Sequence, residues 1–384
     1  MQKKTMKSME YLLVISSIIF LCVICDAEAN WFNTNWQYRK EITISGSMTP
    51  NTNQTNFPLM IRRTSDSNLA SRAQGDGDDI LFTSSDGSTR LNHEIEKYGS
   101  STGELWAWVR MPTLPTGTAT VIFMYYGNAS AASQQDATGV WDSNYEAVWH
   151  LKETPTGTAD EIKDSTLNGR HGTTVNMETG DQMTGQINGS MDFDGAVSNE
   201  RIDTENFMSS GVSQLTAQAW VFKDTTKDAR IVYKNNAGNT GHPVFGLASG
   251  GTNLIRARVR ISDGSGTDKS STATISLSTW TFVAFTYDGS NIRIYKNGAL
   301  DTTVAETGTL AATADVVVIA QNGAGVSADR HWPGQIDEVR LSNTARSADW
   351  FATEYNNQNA PDTYITFGSE VRTSADAVFF GTDF

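Results

Sequence analysis

The sequence is short of the residues that cross-link a chain, make it basic or anchor it in a bilayer. Its 384 residues hold two cysteines, Cys22 and Cys25, both within the first 29 positions. If that stretch is removed on export, no thiol remains, and disulfides cannot hold the protein together even in an oxidising compartment. Basic clusters are missing too. The formal net charge is −14, with 29 Lys and Arg against 43 Asp and Glu. That balance argues against nucleic acid and anionic membrane surfaces as partners. Beyond the N-terminus, no apolar run approaches the roughly 20 residues that span a bilayer as a helix.

What is present begins with an export signal. The opening "MQKKTMKSMEYLLVISSIIFLCVICDAEAN" places three lysines before a 14-residue apolar run, Tyr11 to Ile24, and then Ala27-Glu28-Ala29. This is the layout of a signal peptide over residues 1–29, with a small-x-small cleavage site after Ala29. The run is short for a retained anchor, the competing reading. Ile24 stands where a lipidated Cys25 would want a small residue. The expectation is an extracytoplasmic protein: secreted, periplasmic or at the cell surface.

Glycine, threonine, serine and asparagine are abundant and helical periodicities are few, so the chain reads as all-β. A first region, residues 30–132, offers short strand candidates bounded by Gly, Pro, Asn or Asp and reads as a small antiparallel β-sandwich. In its "ELWAWVRM", Leu105, Ala107, Val109 and Met111 share one face, while Trp106, Trp108 and Arg110 share the other. Residues 133–144 read as a linker. A larger β region follows over 145–369, and 370–384 reads as a C-terminal tail or the start of another strand. Trp350, Phe351 and Tyr355 in "SADWFATEYNNQ" have helical spacing.

The most informative stretch is "WTFVAFTYDGSNIRIYKNGAL", Trp280 to Leu300. Phe282 and Ala284 point one way, Val283, Phe285 and Tyr287 the other. Both faces are apolar, as in a strand buried within a double-sheet sandwich. Asn297-Gly298 is a strong hairpin-turn signal. These aromatics are expected to be core rather than a binding platform.

Together with "AVWHLKE", "IKDSTLNGRHGT", "GSMDFDG", "LTAQAWVF" and "GQIDEVRLSNTARS", that hairpin makes the second region resemble the laminin-G-like, concanavalin A-like jelly-roll family. The first region, with "WQYRKEITI", "DDILFTSSDGSTRLNHEIEKY" and "GELWAWVRMPTLPTGTATVIFMYYGNASA", is similar to the secreted domain of unknown function 2341. The resemblance implies a small β-sandwich followed by a jelly-roll β-sandwich, in an exported protein. Some relatives of the first domain precede a proton-channel subunit of a transport assembly. An activity does not follow, because the jelly roll hosts many.

Several chemistries find no support in the residues. Retaining glycosidases need two carboxylates about 5 Å apart, and the glucanases of this fold carry them as Glu-x-Asp-x-x-Glu on one strand. No such run occurs. Asp337 and Glu338 are adjacent and should face opposite ways, while Glu94 and Glu96 share a face but lie in the other domain without a third acid. There is no Gly-x-Ser-x-Gly or His-Glu-x-x-His motif, and the five histidines, His150 and His242 among them, are scattered. No catalytic constellation is identified, and the chain is not expected to be an enzyme.

Two binding signals remain. The resemblance implies a calcium ion at a sandwich edge, and the positions that carry over are Asp164, Asn168 and Asp337. The alternative for Asp164 and Asn168 is an Asx-type turn. "GDGDDI", with Asp76, Asp78 and Asp79, reads as a polar turn before a strand. Among ten tryptophans, Trp332 in "RHWPGQ" adjoins a Pro-Gly pair and is the expected exposed ligand-binding ring. The resulting expectation is a non-catalytic binding or adhesion protein for glycan or a cell-surface protein. The alternatives are a structural part of an envelope or transport assembly, or a carbohydrate-active hydrolase.

Overall fold

A computed structural model describes residues 30–195, 199–209, 211–236, 243–322 and 330–373. The expected signal peptide, His242 and most of the expected tail lie outside the described residues.

Alternation of apolar and polar residues builds the first sandwich. Its five-stranded sheet runs in the order Ile365–Arg372, Tyr38–Ile44, Thr120–Tyr126, Leu81–Ser84 and Arg90–Leu91. A three-stranded sheet, Gln54–Arg63, Glu104–Leu114 and His93–Gly99, packs against it. As the alternation requires, Leu105, Ala107, Val109 and Met111 enter the core with Ile42, Ile122 and Met124 of the facing sheet. Trp108 on the opposite face is equally buried, because this sheet is covered on its second side by the jelly roll.

The jelly roll has two antiparallel sheets. The larger follows the order Gln182–Thr184, Gly189–Asp194, Pro333–Ser342, Leu215–Lys223, Thr281–Tyr287, Asn291–Lys296 and Ala299–Ala305, with Tyr145–Trp149 paired to Pro333–Ser342. The seven-stranded sheet runs Gly266–Thr274, Leu254–Arg260, Phe245–Ser249, Ala229–Lys234, Val317–Ile319, Arg201–Asp203 and Thr173–Val175. The hairpin behaves as its pattern demands. Val283, Phe285 and Tyr287 fill the core between the two sheets, while Phe282 and Ala284 face the first domain. Asn297 and Gly298 both take positive φ, 50° and 77°, as a tight Asn-Gly turn requires.

The helix Ala348–Asn359 is wedged between the domains, capped by Ser347, whose hydroxyl accepts from the Trp350 N–H at 3.1 Å. Trp350 meets Phe57 of the first domain at 5.0 Å and Phe351 meets Tyr295 of the jelly roll at 4.5 Å, centroid to centroid.

Two expected boundaries shift. Ile365–Arg372 returns to the first sandwich and pairs with Tyr38–Ile44, so the boundary placed at 369 falls inside a strand that completes the N-terminal domain. The expected linker 133–144 is also pinned down. Val140 and Trp141 are buried, and the Gln135 side chain accepts from the Ile95 N–H at 2.6 Å. Apolar residues at its end give it something to bury, and its polar composition concealed that.

Candidate functional site

The residues expected to bind calcium are committed elsewhere. Asp164 accepts from the N–H groups of Val148 and Thr166, both at 2.9 Å, from the Thr166 hydroxyl at 2.8 Å and from the Arg170 N–H at 2.8 Å. Both its oxygens are used, in the turn that competed with calcium. Asn168 points its amide N–H at the Tyr145 and Glu146 carbonyls, each at 3.1 Å, and so offers its donor rather than its oxygen. Asp337 is fully buried and accepts from the Ile187 N–H at 2.8 Å. An all-oxygen calcium shell does not fit these three as placed. Asp79 likewise ties a turn, accepting from the N–H groups of Gln74, Gly127 and Asn128.

Trp332 is not exposed. It is buried in the core between the sheets, its backbone N–H bonds the Ala320 carbonyl at 2.9 Å and its indole donates to the Gln335 carbonyl at 3.2 Å. Pro333 opens a strand rather than a surface turn, a position where proline costs no ladder bond, and the preceding ring turns inward.

A different constellation forms at the domain junction. Ile336, Val339 and Leu341 enter the jelly-roll core at spacings of three and then two. A bulge opposite Gln218 and Trp220 interrupts the strand there, and Glu338 takes a left-handed φ of 53°. The strand therefore does not place Asp337 and Glu338 on opposite faces. Both lie outside that core, next to one another, with Arg340. A non-glycine residue in this conformation is strained, and such strain gathers at functional sites.

From the first domain, Glu94 and Glu96 meet them around His150. His150 Nδ1 donates to Glu338 Oε1 at 2.6 Å and lies 3.7 Å from Glu96 Oε2; Nε2 lies 3.4 Å from Glu94 Oε2. The imidazole stacks on Trp108 at 5.9 Å. Arg340 bridges Glu338 and Glu354 and sits 4.3 Å from the Trp108 ring centroid. Glu94 accepts from the Trp141 indole at 3.0 Å and the Ser165 hydroxyl at 2.7 Å.

Burial works against a charge on His150, yet Glu338, Glu94 and Glu96 hold its pKa well above the ordinary value. Burial alone would raise Glu94, but His150 and the Ser165 hydroxyl bring it down to about 2. Asp337 is pushed well up by burial and by Glu338 beside it. The third and fourth acids that Glu94 and Glu96 lack in sequence are thus supplied by the jelly roll. All four carboxylates are at most 7 % exposed, so a polysaccharide chain has no approach to them.

An accessible cleft lies on the outer face of the seven-stranded sheet. Val232, Leu247, Ala257 and Val259 face the core, which sends Arg256 and Arg258 outward. With Asp228, Arg230, Tyr233, Asn235, Asn322 and Arg330 they line a cleft of about 290 Å³. Asp228 accepts from Arg230 at 2.5 Å, Arg256 at 3.1 Å and Arg330 at 2.7 Å, and Asp268 pairs with Arg256 and Arg258. Burial opposes ionisation of Asp228, but the surrounding arginines hold its carboxyl below the usual range. Arg258 donates to the Tyr233 hydroxyl at 2.7 Å. Gly246 makes room for that ring, since an added Cβ would meet it at 2.4 Å. Among the described residues, four arginines against two aspartates leave a local positive excess on a chain of net charge −14. Sequence spacing showed "IRARVR" only as an alternating strand; Arg230 joins it by sheet pairing through Phe245–Ser249, and Arg330 reaches it by its ion pair with Asp228.

Residues 194–352 match the family described as the concanavalin A-like lectin/glucanases superfamily, and residues 76–159 match the domain of unknown function DUF2341. The two stand in the order drawn from the sequence. No curated protein matches the chain. Solved structures similar to it include domain 4 of AbnA, a GH43 extracellular arabinanase from Geobacillus stearothermophilus, in complex with arabinotriose. The identity is 19%, the TM-score 0.41, and the match covers 56% of this chain and 98% of that one. The binding domain of Paraclostridial Mosquitocidal Protein 1 is 14% identical with a TM-score of 0.43, over 56% of this chain and 52% of that one. The heptameric SAP-like pentraxin from Limulus polyphemus is 17% identical with a TM-score of 0.31, over 38% and 72%. These likenesses concern the sandwich alone, and nothing about a ligand follows from them.

Proposed function

We propose that the chain is an exported, non-catalytic binding protein whose jelly roll takes up a negatively charged glycan in the arginine-lined cleft. The observation that carries this reading is the cluster of Arg230, Arg256, Arg258 and Arg330 around a cleft of about 290 Å³ on an otherwise acidic protein. Guanidinium groups present paired N–H donors that fit carboxylate and sulfate oxygens. The side-chain amides of Asn235 and Asn322 can serve sugar hydroxyls. Asp228 and Asp268 hold the guanidinium planes in position, which lowers the ordering cost of binding.

A non-catalytic role is consistent with the burial of Glu94, Glu96, Asp337 and Glu338 at the domain junction. Calcium has no part in this reading. The test is binding of the protein to immobilised polysaccharides bearing sulfate or uronic acid, beside neutral ones of the same length. Retention of the charged glycans, weakened by salt as screening requires, supports the reading. Equal or no retention refutes it.

A further inference from the structure

We propose that Glu96, His150 and Glu338 bind one divalent first-row metal ion, such as zinc or manganese, which joins the two domains at their buried junction. One ligand atom from each of the three residues can be chosen so that all lie within 4.8 Å of one another. The three side chains are at most 2 % exposed. A metal bonded at about 2.0–2.2 Å to nitrogen and oxygen holds neighbouring ligand atoms roughly 3.3–3.6 Å apart, so the groups need only small shifts to close on an ion. The donor set is one imidazole and two carboxylates, a combination that suits zinc or manganese and not the all-oxygen preference of calcium and magnesium.

Charge balance argues for the ion independently. Five carboxylates, Glu94, Glu96, Asp337, Glu338 and Glu354, gather around His150, Arg340 and Lys152. With every carboxylate ionised and every cation protonated, the count is two negative charges in a largely buried region, where uncompensated charge is costly. Two protons could cancel them, but each would need an acceptor. Glu96 Oε1 and Asp337 Oδ1 are buried and have no hydrogen-bond partner. A divalent cation brings two positive charges in exchange for the one proton lost from His150, so it cancels one of the two negative charges, and it gives Glu96 a bond. Its binding would displace the proton that His150 now shares with Glu338. The left-handed backbone at Glu338, which turns that carboxylate toward the imidazole, is the strain such a site would hold in place.

Because the site is sealed, metal has to enter as the chain folds, so the test is a refolding experiment on the full chain. The protein is unfolded in guanidinium with a chelator, then refolded with zinc chloride, manganese chloride or chelator alone, and metal is counted after gel filtration. The proposal expects about one equivalent of zinc or manganese per chain, with a higher thermal midpoint than the chelated sample. Metal content near zero in every refolded sample, with identical midpoints, overturns it. Glu96→Gln and His150→Gln should each lower retention at least tenfold. Should they fail to fold, cobalt replaces zinc in the wild-type protein. Visible d–d absorption from cobalt bound through nitrogen and oxygen then supports the site, and the spectrum of the free hexaaquo ion refutes it. Full occupancy in folded variants also refutes it.

Discussion

Asn357, on the helix between the domains, treats Met60 as a strand would. Its side-chain oxygen accepts from the Met60 N–H at 2.8 Å and its amide donates to the Met60 carbonyl at 2.9 Å. Met60 lies at the outer edge of the three-stranded sheet, so one amide satisfies two buried backbone groups that no neighbouring strand reaches. Asn357→Leu would strip both of partners while keeping the volume similar. The expected cost is about 2–4 kcal/mol by urea unfolding, since each buried unsatisfied group costs about 1–3 kcal/mol. A change under about 0.5 kcal/mol, the range of a neutral surface substitution, would contradict this role.

The C-terminal strand gives a second prediction. Ile365–Arg372 covers one edge of Tyr38–Ile44, and Tyr126 of the next strand donates its hydroxyl to Glu370 at 2.7 Å. A chain ended at residue 359 leaves that edge bare, and bare edges recruit other chains. Calorimetry should show the first sandwich losing its cooperative transition, with light scattering rising on warming. An unchanged transition would mean that the first domain is complete without the strand.

Acid sensitivity is expected from His93. It is fully buried, with its ring edge-on to Phe82 at 5.2 Å. Burial holds its pKa down to about 4, with Arg90 pressing the same way and Asp136 opposing. The folded value lies below the unfolded one of about 6.5. Above pH 6.5 both states are neutral and no penalty arises. As pH falls from 6.5 toward 4, the unfolded chain takes a proton that the folded chain refuses, so stability drops. The penalty levels off at about 3 kcal/mol once both states are protonated. Urea unfolding at pH 7 and pH 5 should therefore show a loss in the wild type that exceeds the loss in His93→Gln by about 2 kcal/mol. Equal losses would assign the acid response to other groups.

Local features were legible in the sequence because they depend on spacing. The two-faced strand Thr281–Tyr287, the Asn297-Gly298 turn and the helix carrying Trp350 and Phe351 all follow from periodicity and turn chemistry. The turn at Asp164 follows from the same rules and competed there with calcium. What escaped depends on tertiary pairing. Glu94 and Glu96 meet His150 and Glu338 across a domain junction, and nothing in "HEIEKY" announces a partner. The bulge at Glu338 carries no glycine or asparagine to mark it, so strict alternation misassigned its side chain. Trp332 failed for a related reason: Pro-Gly reads as a surface turn, and only the sheet reveals that Pro333 begins a strand. The fourth arginine of the cleft, Arg330, lies 72 residues beyond Arg258 in the numbering and reaches the cleft only through the fold.

The packing of Tyr233 against Gly246 yields a further expectation. Gly246→Ala places a methyl where the ring now lies, and displacing the ring removes the hydroxyl that holds Arg258. Affinity for an acidic glycan should fall several-fold, as the loss of about 1 kcal/mol of positioning implies. Far-ultraviolet circular dichroism should stay unchanged. Unaltered affinity would show that Tyr233 does not organise the cleft.

The central claim is that the cleft recognises negative charge, and titration calorimetry with a sulfated oligosaccharide addresses it most directly. It should be run on the wild type and on the double variant Arg258→Gln, Arg330→Gln. The account predicts saturable binding by the wild type that weakens with added salt, and a loss of at least tenfold in the variant, about 1.4 kcal/mol. Binding of equal strength in both proteins, or none by the wild type at low salt, would contradict it.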